Sequence, residues 1–330
     1  GLNLMYGDAA NNYACFSSAH LLKRAELATP KFIMEGKTGA YDPEGYYDFS
    51  FNPKSVNSDL GYAYSANNQP ESLKGVIHPG YYLPEDRARR ITKLLDAPQK
   101  WDVAQTKEMM IDVTSENAPE VAKSIASAID TKLLNSANEE EAFALLKRWD
   151  GNYDQSMTAP TIFNKMVYQI QEGLFLNKLG QKGFDVYMKT HLMKRSYQPL
   201  FANENSVWWD DPNTEGTETR GDVITQAFID GIAALETQLG ADMTQWNWGK
   251  VHTLEHNHVF SAQEALKAYF NVGPFEVSGS NEVINNYMFR WNKSGVYPVM
   301  AGPSTRRIVD FDDVEGNSWS IIPTGNSGNV

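Results

Sequence analysis

Leu2, Leu4 and Tyr6 alternate with polar or small residues, Gly7-Asp8-Ala9-Ala10-Asn11-Asn12 supplies turn chemistry, and Tyr13 to Ser17 alternates again. A period of two on both sides of such a turn predicts a β-hairpin. A chain that opens in mid-strand presents an edge, so a pairing segment upstream is expected. Lys23 to Asn57 is rich in Gly, Pro, Asp and Tyr, which predicts loops with short strands, and Gly61-Tyr62-Ala63-Tyr64 reads as a strand delivering the turn Ser65-Ala66-Asn67-Asn68-Gln69-Pro70. The period then changes. A helix is predicted from about Leu83 to Asp96, with Pro84, Glu85 and Asp86 suited to its start and Pro98 beyond its end. Ile91, Leu94 and Leu95 fall on one apolar stripe, and Arg87 lies nearer its centre than any other cation of the segment; Arg89 and Lys93 point away and Arg90 sits on the flank.

Helical signals dominate after Pro98. Asp102 is placed to cap a helix to about Thr114, Ala118-Pro119-Glu120 starts another, and Asn138 with Glu141 forms a capping box for a third that ends at Trp149-Asp150-Gly151. Longer helices are predicted at about Ala159 to Gly180 and Asp222 to Leu239, with a loop from Trp208 to Gly216 between them. Strand signals return at Trp248 to Thr253, Tyr297 to Ala301, Thr305 to Phe311 and Ser318 to Ile322. The plan is therefore α+β: a β-rich segment over 1–100, a helical insertion over 101–240, and a returning β segment over 241–330, with both ends looking cut.

Composition narrows the function classes. With 29 Lys and Arg against 41 Asp and Glu, a net charge of −12, and no basic run, nucleic acid and anionic membrane are poor partners. No apolar run approaches the length of a membrane span, and 42% hydrophobic residues give ample core material. The single cysteine, Cys15, has no internal disulfide partner and reads as a small buried hydrophobe of the second strand.

The candidate chemistry centres on 65–96. An arginine on the buried side of a helix keeps its charge, so Arg87 needs carboxylate, carbonyl or amide partners, and Asn67 and Asn68 supply neutral dipoles. The plainer alternative is a turn signal beside a structural clamp. His252-Thr253-Leu254-Glu255-His256 matches H-x-x-E-H, a zinc pattern that works only on a helix, whereas the sequence before it reads as strand and turn. The acidic pairs Asp210/Asp211 and Asp312/Asp313 read as loop charges, and no nucleophile elbow, phosphate loop, dinucleotide fingerprint or C-x-x-C is present.

Gly61 to Pro70 followed by Pro84-Glu85-Asp86-Arg87 resembles the β-chain of the penicillin acylase family of N-terminal nucleophile hydrolases. The Leu2 to Phe16 hairpin, Arg148-Trp149-Asp150-Gly151, Trp246-Asn247-Trp248-Gly249, Gly302-Pro303-Ser304-Thr305-Arg306 and Gly325-Asn326-Ser327-Gly328 agree in order, so the likeness covers nearly the whole chain. It implies a partial αββα sandwich of antiparallel sheets with a helical insertion. It also implies a precursor that cuts itself into α and β chains, with an N-terminal serine upstream of Gly1 as nucleophile and that residue's own α-amino group as base. Asn67 matches the asparagine that donates to the oxyanion, Arg87 the arginine that organises it, and Leu2 an apolar position lining the acyl pocket. The implied partners are a small-molecule amide, the α-chain and the N-terminal part of the β-chain, in a periplasmic or secreted setting.

The chemistry so implied needs no cofactor. Relatives often bind a structural calcium with an aspartate shortly after the Asn-Asn turn, and Glu71 to Tyr82 contains none, so calcium is left open. The alternatives are an N-acyl-homoserine lactone acylase, since the absent residues build most of the acyl pocket, and a non-catalytic binding relative.

Overall fold

The computed structural model describes residues 2–29, 32–76, 80 and 82–323. The Gly325–Gly328 motif lies outside the described residues. Contacts divide the chain into two units, Gly1–Lys100 with Val309–Ser318, and Trp101–Ile308 with Trp319–Val330.

In the first unit the predicted hairpin forms: β1 (Asn3–Gly7) pairs antiparallel with β2 (Tyr13–Ser17), Asn3 opposite Ser17 and Met5 opposite Cys15. Asp8 closes the turn, its Oδ1 accepting from the backbone N–H groups of Ala10 and Asn12 at 2.9 Å each, while Asn11 takes φ 63°. β3 (Leu22–Lys23) and β4 (Gly45–Tyr46) form a separate pair, and β5 (Lys54–Val56) adds to β2, giving the sheet order β1-β2-β5. Helix α1 spans Asp86–Leu95, shorter at its start than the stripe predicts because Glu85 holds the N-cap position and leaves Pro84 outside. Ala88 is buried and Arg89 and Lys93 are exposed, in agreement with the expected facing.

The second unit holds the main core. Its helices are α2 (Val103–Met110), α3 (Ala118–Ala128), α4 (Ala137–Arg148), α5 (Ala159–Tyr187), α6 (His191–Ala202), α7 (Arg220–Leu239), α8 (Trp248–Val251) and α9 (Glu264–Phe270). Asp102 caps α2 in a full capping box. The box of α4 is made by Ser136 and Glu139, two residues before the predicted pair, because Asn138 is taken up elsewhere: its Nδ2 donates to Glu236 Oε1 and the Ala241 carbonyl. α5 breaks at Gly180 (φ 65°, ψ 165°), where the sequence ends the helix, and a further helical segment follows. α5 and α7 approach closely at Gly231, where a Cβ would stand 2.1 Å from Met166 Cε. Ile125, Leu146, Ile162, Met166, Phe228 and Trp246 are fully buried among these helices, each such side chain worth about 1.5–3 kcal/mol of apolar burial.

Arg220, the first residue of α7, is buried and joins three helices: Nε donates to the Phe201 carbonyl of α6 at 2.7 Å, and Nη2 to the Ser124 carbonyl and Oγ of α3 at 2.5 and 2.9 Å.

The strand predicted over Trp248 to Thr253 is a correction. Trp248–Val251 is a helical turn, closed by His252 N–H on the Trp248 carbonyl at 2.9 Å, and β6 (Thr253–His256) begins only afterwards. β6 pairs antiparallel with β7 (Val272–Glu276), and β8 (Arg306–Ile308) with β9 (Trp319–Ile321). Tyr297 to Ala301 lies alongside β6, with Val299 N–H on the Thr253 carbonyl at 2.8 Å, and makes a bridge from Ala301 to Met288 rather than a full strand. No helix among the described residues is long and apolar enough to cross a membrane.

Candidate functional site

The turn 65–70 and α1 meet as the facing of Arg87 requires. Asn67 adopts φ 61°, the left-handed region that asparagine tolerates better than other non-glycine residues. Its backbone carbonyl accepts from Leu83 N–H at 3.1 Å, which ties the turn to the approach of α1. Arg87 Nη2 donates to the carbonyl of the buried Ala66 at 3.0 Å and to Asn67 Oδ1 at 2.8 Å.

That second bond fixes which end of the amide is which. A guanidinium has donors only, so the oxygen of Asn67 faces Arg87 and the Nδ2 donors face the other way. Asn67 is exposed, Arg87 half-buried, and Asn67 Nδ2 carries no hydrogen bond among the described residues. Arg87 Nε is buried without a hydrogen-bond partner among the described residues. The arrangement is a neutral amide donor, held at its acceptor end by a permanent positive charge. Such a donor stabilises an oxygen that gains negative charge, because it needs no reorientation when the charge appears.

Two side chains that the sequence did not mark also hold the turn and its helix. Tyr62 donates its hydroxyl to Asp96 Oδ1 at 2.7 Å, at the C-cap of α1, and burial together with this carboxylate pushes the phenol up to about 12. Asn3 of β1 donates Nδ2 to Ser65 Oγ at 2.5 Å. Alternation along β1 shows only that Asn3 and Leu2 lie on opposite faces, so nothing local in the sequence marks Asn3 as a partner of a turn 62 residues away. Leu2 is 73% exposed and is anchored through its backbone, its N–H donating to Ser18 Oγ at 3.2 Å and its carbonyl accepting from the same hydroxyl at 2.8 Å. Asn68 is half-buried, with no hydrogen bond to Arg87.

The H-x-x-E-H residues do not converge. His252 is fully buried, stacked on Trp248 with centroids 4.7 Å apart, and its Nδ1 lies 2.7 Å from the Tyr297 carbonyl. Burial depresses this imidazole to about 4. His256 sits on β6, and His258 caps a short helical turn by accepting from Phe260 N–H at 3.1 Å. Among the described residues no group of three or more His, Cys, Asp or Glu is placed to hold a metal ion. Asp210 and Asp211 are spent on loop structure, Asp210 Oδ1 accepting from Glu218 N–H and Asp211 Oδ1 from Asn213 N–H.

A cavity of about 350 Å3 lies in the second unit, between β6, Tyr287, the 299–306 segment and the end of β9. Its lining includes His256, Ser304 and Arg306, the last held by Asn285 Oδ1, and contains none of Leu2, Asn67 or Arg87.

Comparison with known proteins puts this geometry in context. The sequence model of penicillin amidase matches residues 1–330. Acyl-homoserine lactone acylase QuiP of Pseudomonas aeruginosa is 25% identical, the match covering 89% of this chain and 37% of that protein. QuiP of Pseudomonas syringae pv. syringae is 27% identical over 99% of this chain and 41% of its own length. The chain thus spans about two fifths of these curated relatives. Among solved structures, a thermostable penicillin G acylase from Alcaligenes faecalis superposes with a TM-score of 0.55 at 19% identity, covering 74% of this chain and 48% of that one, a likeness of fold.

Proposed function

Because this chain belongs to the penicillin amidase family, we propose that it contributes the oxyanion-binding part of an amidohydrolase that splits a non-peptide amide into a carboxylic acid and an amine. The observation that carries the reading is the 2.8 Å bond from Arg87 Nη2 to Asn67 Oδ1, which leaves an oriented amide donor at the surface of the turn.

In this reading the nucleophile is the N-terminal serine of the mature β-chain, outside the 330 residues. Its α-amine has a pKa of about 7.7–8, close to the working pH, and takes the hydroxyl proton. Attack turns the amide carbonyl oxygen into an oxyanion, and Asn67 Nδ2 donates to it while Arg87 keeps the amide aimed. As the tetrahedral intermediate collapses, the C–N bond breaks and the α-ammonium returns its proton to the leaving nitrogen, releasing the amine. Water, deprotonated by the same α-amine, then attacks the acyl-enzyme ester and releases the acid as the serine oxygen takes the proton back. Leu2 would line the acyl side. The chemistry needs no cofactor, and the α-chain and the rest of the β-chain complete the αββα sandwich. A periplasmic or secreted location is part of this proposal, supported by the family likeness alone.

The relatives named acyl-homoserine lactone acylase favour a second reading within the class, hydrolysis of the amide of an N-acyl-homoserine lactone. A panel of phenylacetyl, glutaryl and long-chain acyl amides, offered to the full-length gene product, separates the two.

The test of the mechanism is Asn67→Gly, which removes the amide while suiting φ 61°. Turnover is expected to fall by about a hundredfold to a thousandfold, the usual cost of one oxyanion donor. Unchanged turnover would refute the assignment, and absence of any amidase activity in the processed protein would favour a binding relative.

A further inference from the structure

The turn 65–70 is held unevenly. Among the described residues, three of its hydrogen bonds come from the α1 side: Leu83 N–H to the Asn67 carbonyl, and Arg87 Nη2 to the Ala66 carbonyl and to Asn67 Oδ1. From the sheet side comes the bond of Asn3 Nδ2 to Ser65 Oγ. Asn3 is itself fixed by the ladder, opposite Ser17, and the preceding Leu2 is bonded to Ser18 through both its N–H and its carbonyl. A short path therefore runs from a strand, through one amide and one hydroxyl, to a buried residue whose carbonyl Arg87 holds.

We propose that Asn3 is a positioning residue for the Asn67 amide, acting through Ser65. With the bond in place the turn is clamped between β1 and α1, and Asn67 Nδ2 keeps one direction relative to the sheet. Without it the turn follows α1 alone, and the donor stays present but loses its aim. A misplacement of about 1 Å in a catalytic group is enough to cost up to about a hundredfold in rate. The bond itself is exposed and solvent competes for both partners, so it adds little to the stability of the fold. Its value therefore lies in geometry. This inference rests on the reading of Asn67 as the oxyanion donor.

The test compares Asn3→Ala, Ser65→Ala, the double variant, Ser65→Thr and Asn67→Gly in the full-length processed enzyme, on an acyl anilide that it turns over. Asn3→Ala and Ser65→Ala are each expected to lower kcat by about tenfold with KM unchanged. The double variant should match either single one, because both remove the same link. Ser65→Thr, which keeps the hydroxyl, should restore most of kcat. An unchanged kcat in Asn3→Ala, multiplicative losses in the double variant, or a Ser65→Thr as slow as Ser65→Ala would overturn the proposal. If Asn67→Gly abolishes turnover while Asn3→Ala is silent, the positioning role alone falls. If Asn67→Gly is itself silent, the oxyanion reading falls and takes this one with it.

Discussion

Replacing Arg87 by lysine keeps the charge and removes the fork, and so separates the two things the guanidinium does. In the structure one nitrogen, Nη2, serves both the Ala66 carbonyl at 3.0 Å and Asn67 Oδ1 at 2.8 Å. A lysine ammonium has donors enough for both acceptors, but it is a strongly hydrated point charge on a flexible stem and lacks the planar, preorganised head that holds this nitrogen in place. A hydrogen bond to a charged group contributes about 1.5–3 kcal/mol net. Arg87 is only half-buried, which points to the lower end of that range. Once freed, the Asn67 side chain can rotate its oxygen toward the developing oxyanion, a repulsive orientation that now competes with the productive one. At about 1.4 kcal/mol per factor of ten, the expected loss in kcat is about tenfold to thirtyfold for Arg87→Lys and about a hundredfold for Arg87→Met. Steady-state kinetics on an anilide substrate, with KM determined separately, provide the measurement. An Arg87→Lys enzyme within twofold of the parent in kcat, or one changed only in KM, would show that the guanidinium does not orient the amide.

Two further outcomes concern the aromatic interior of the second unit. The His252 imidazole is held at about 4 in the fold, below its ordinary value near 6.5, so the unfolded chain binds the extra proton. The stabilisation is complete above pH 6.5 and is lost as pH falls through about 4, with a full size of about 3 kcal/mol from the two to three units involved. Urea melts at pH 7, 5 and 4 should show that decline, and His252→Phe should remove this share of it; a slope indifferent to the substitution would refute the assignment. The Tyr297 hydroxyl is fully buried with no partner among the described residues. Tyr297→Phe is accordingly expected to leave stability unchanged or raise it by about 1 kcal/mol in a thermal melt, and a loss of that size would reveal a hidden partner.

The residues that govern the turn were legible because local rules and packing agree there. Arg87 is the cation nearest the apolar stripe of its helix, and an inward arginine beside an Asn-Asn turn finds its acceptors in that turn. The hairpin and the cap of α2 follow from local chemistry in the same way. The departures have tertiary causes. Ser136 and Asn138 each head a sequence that fits a capping box, and the choice was made by Glu236 and the Ala241 carbonyl, which claim Asn138. α6, which the sequence reading leaves unassigned, carries Pro199 inside it, a residue that reads locally as a helix breaker. The strand read at Trp248 is a helical turn because Trp248 and Val251 are both drawn into the core. Asn3 gave no local sign, since its partner is set by which face of the sheet meets the turn.

The guanidinium that begins α7 stands at the positive end of its own helix dipole, an unfavourable place offset by the carbonyl-rich ends of α6 and α3 that it binds. Its ion pair with Glu204 runs to a carboxylate 76% open to solvent and so counts for little. Nothing else in that knot of backbone and hydroxyl oxygens changes its proton count between mild acid and mild alkali. Protonating the imidazole stacked on Trp248 therefore leaves the bonds at the junction of the three helices in place.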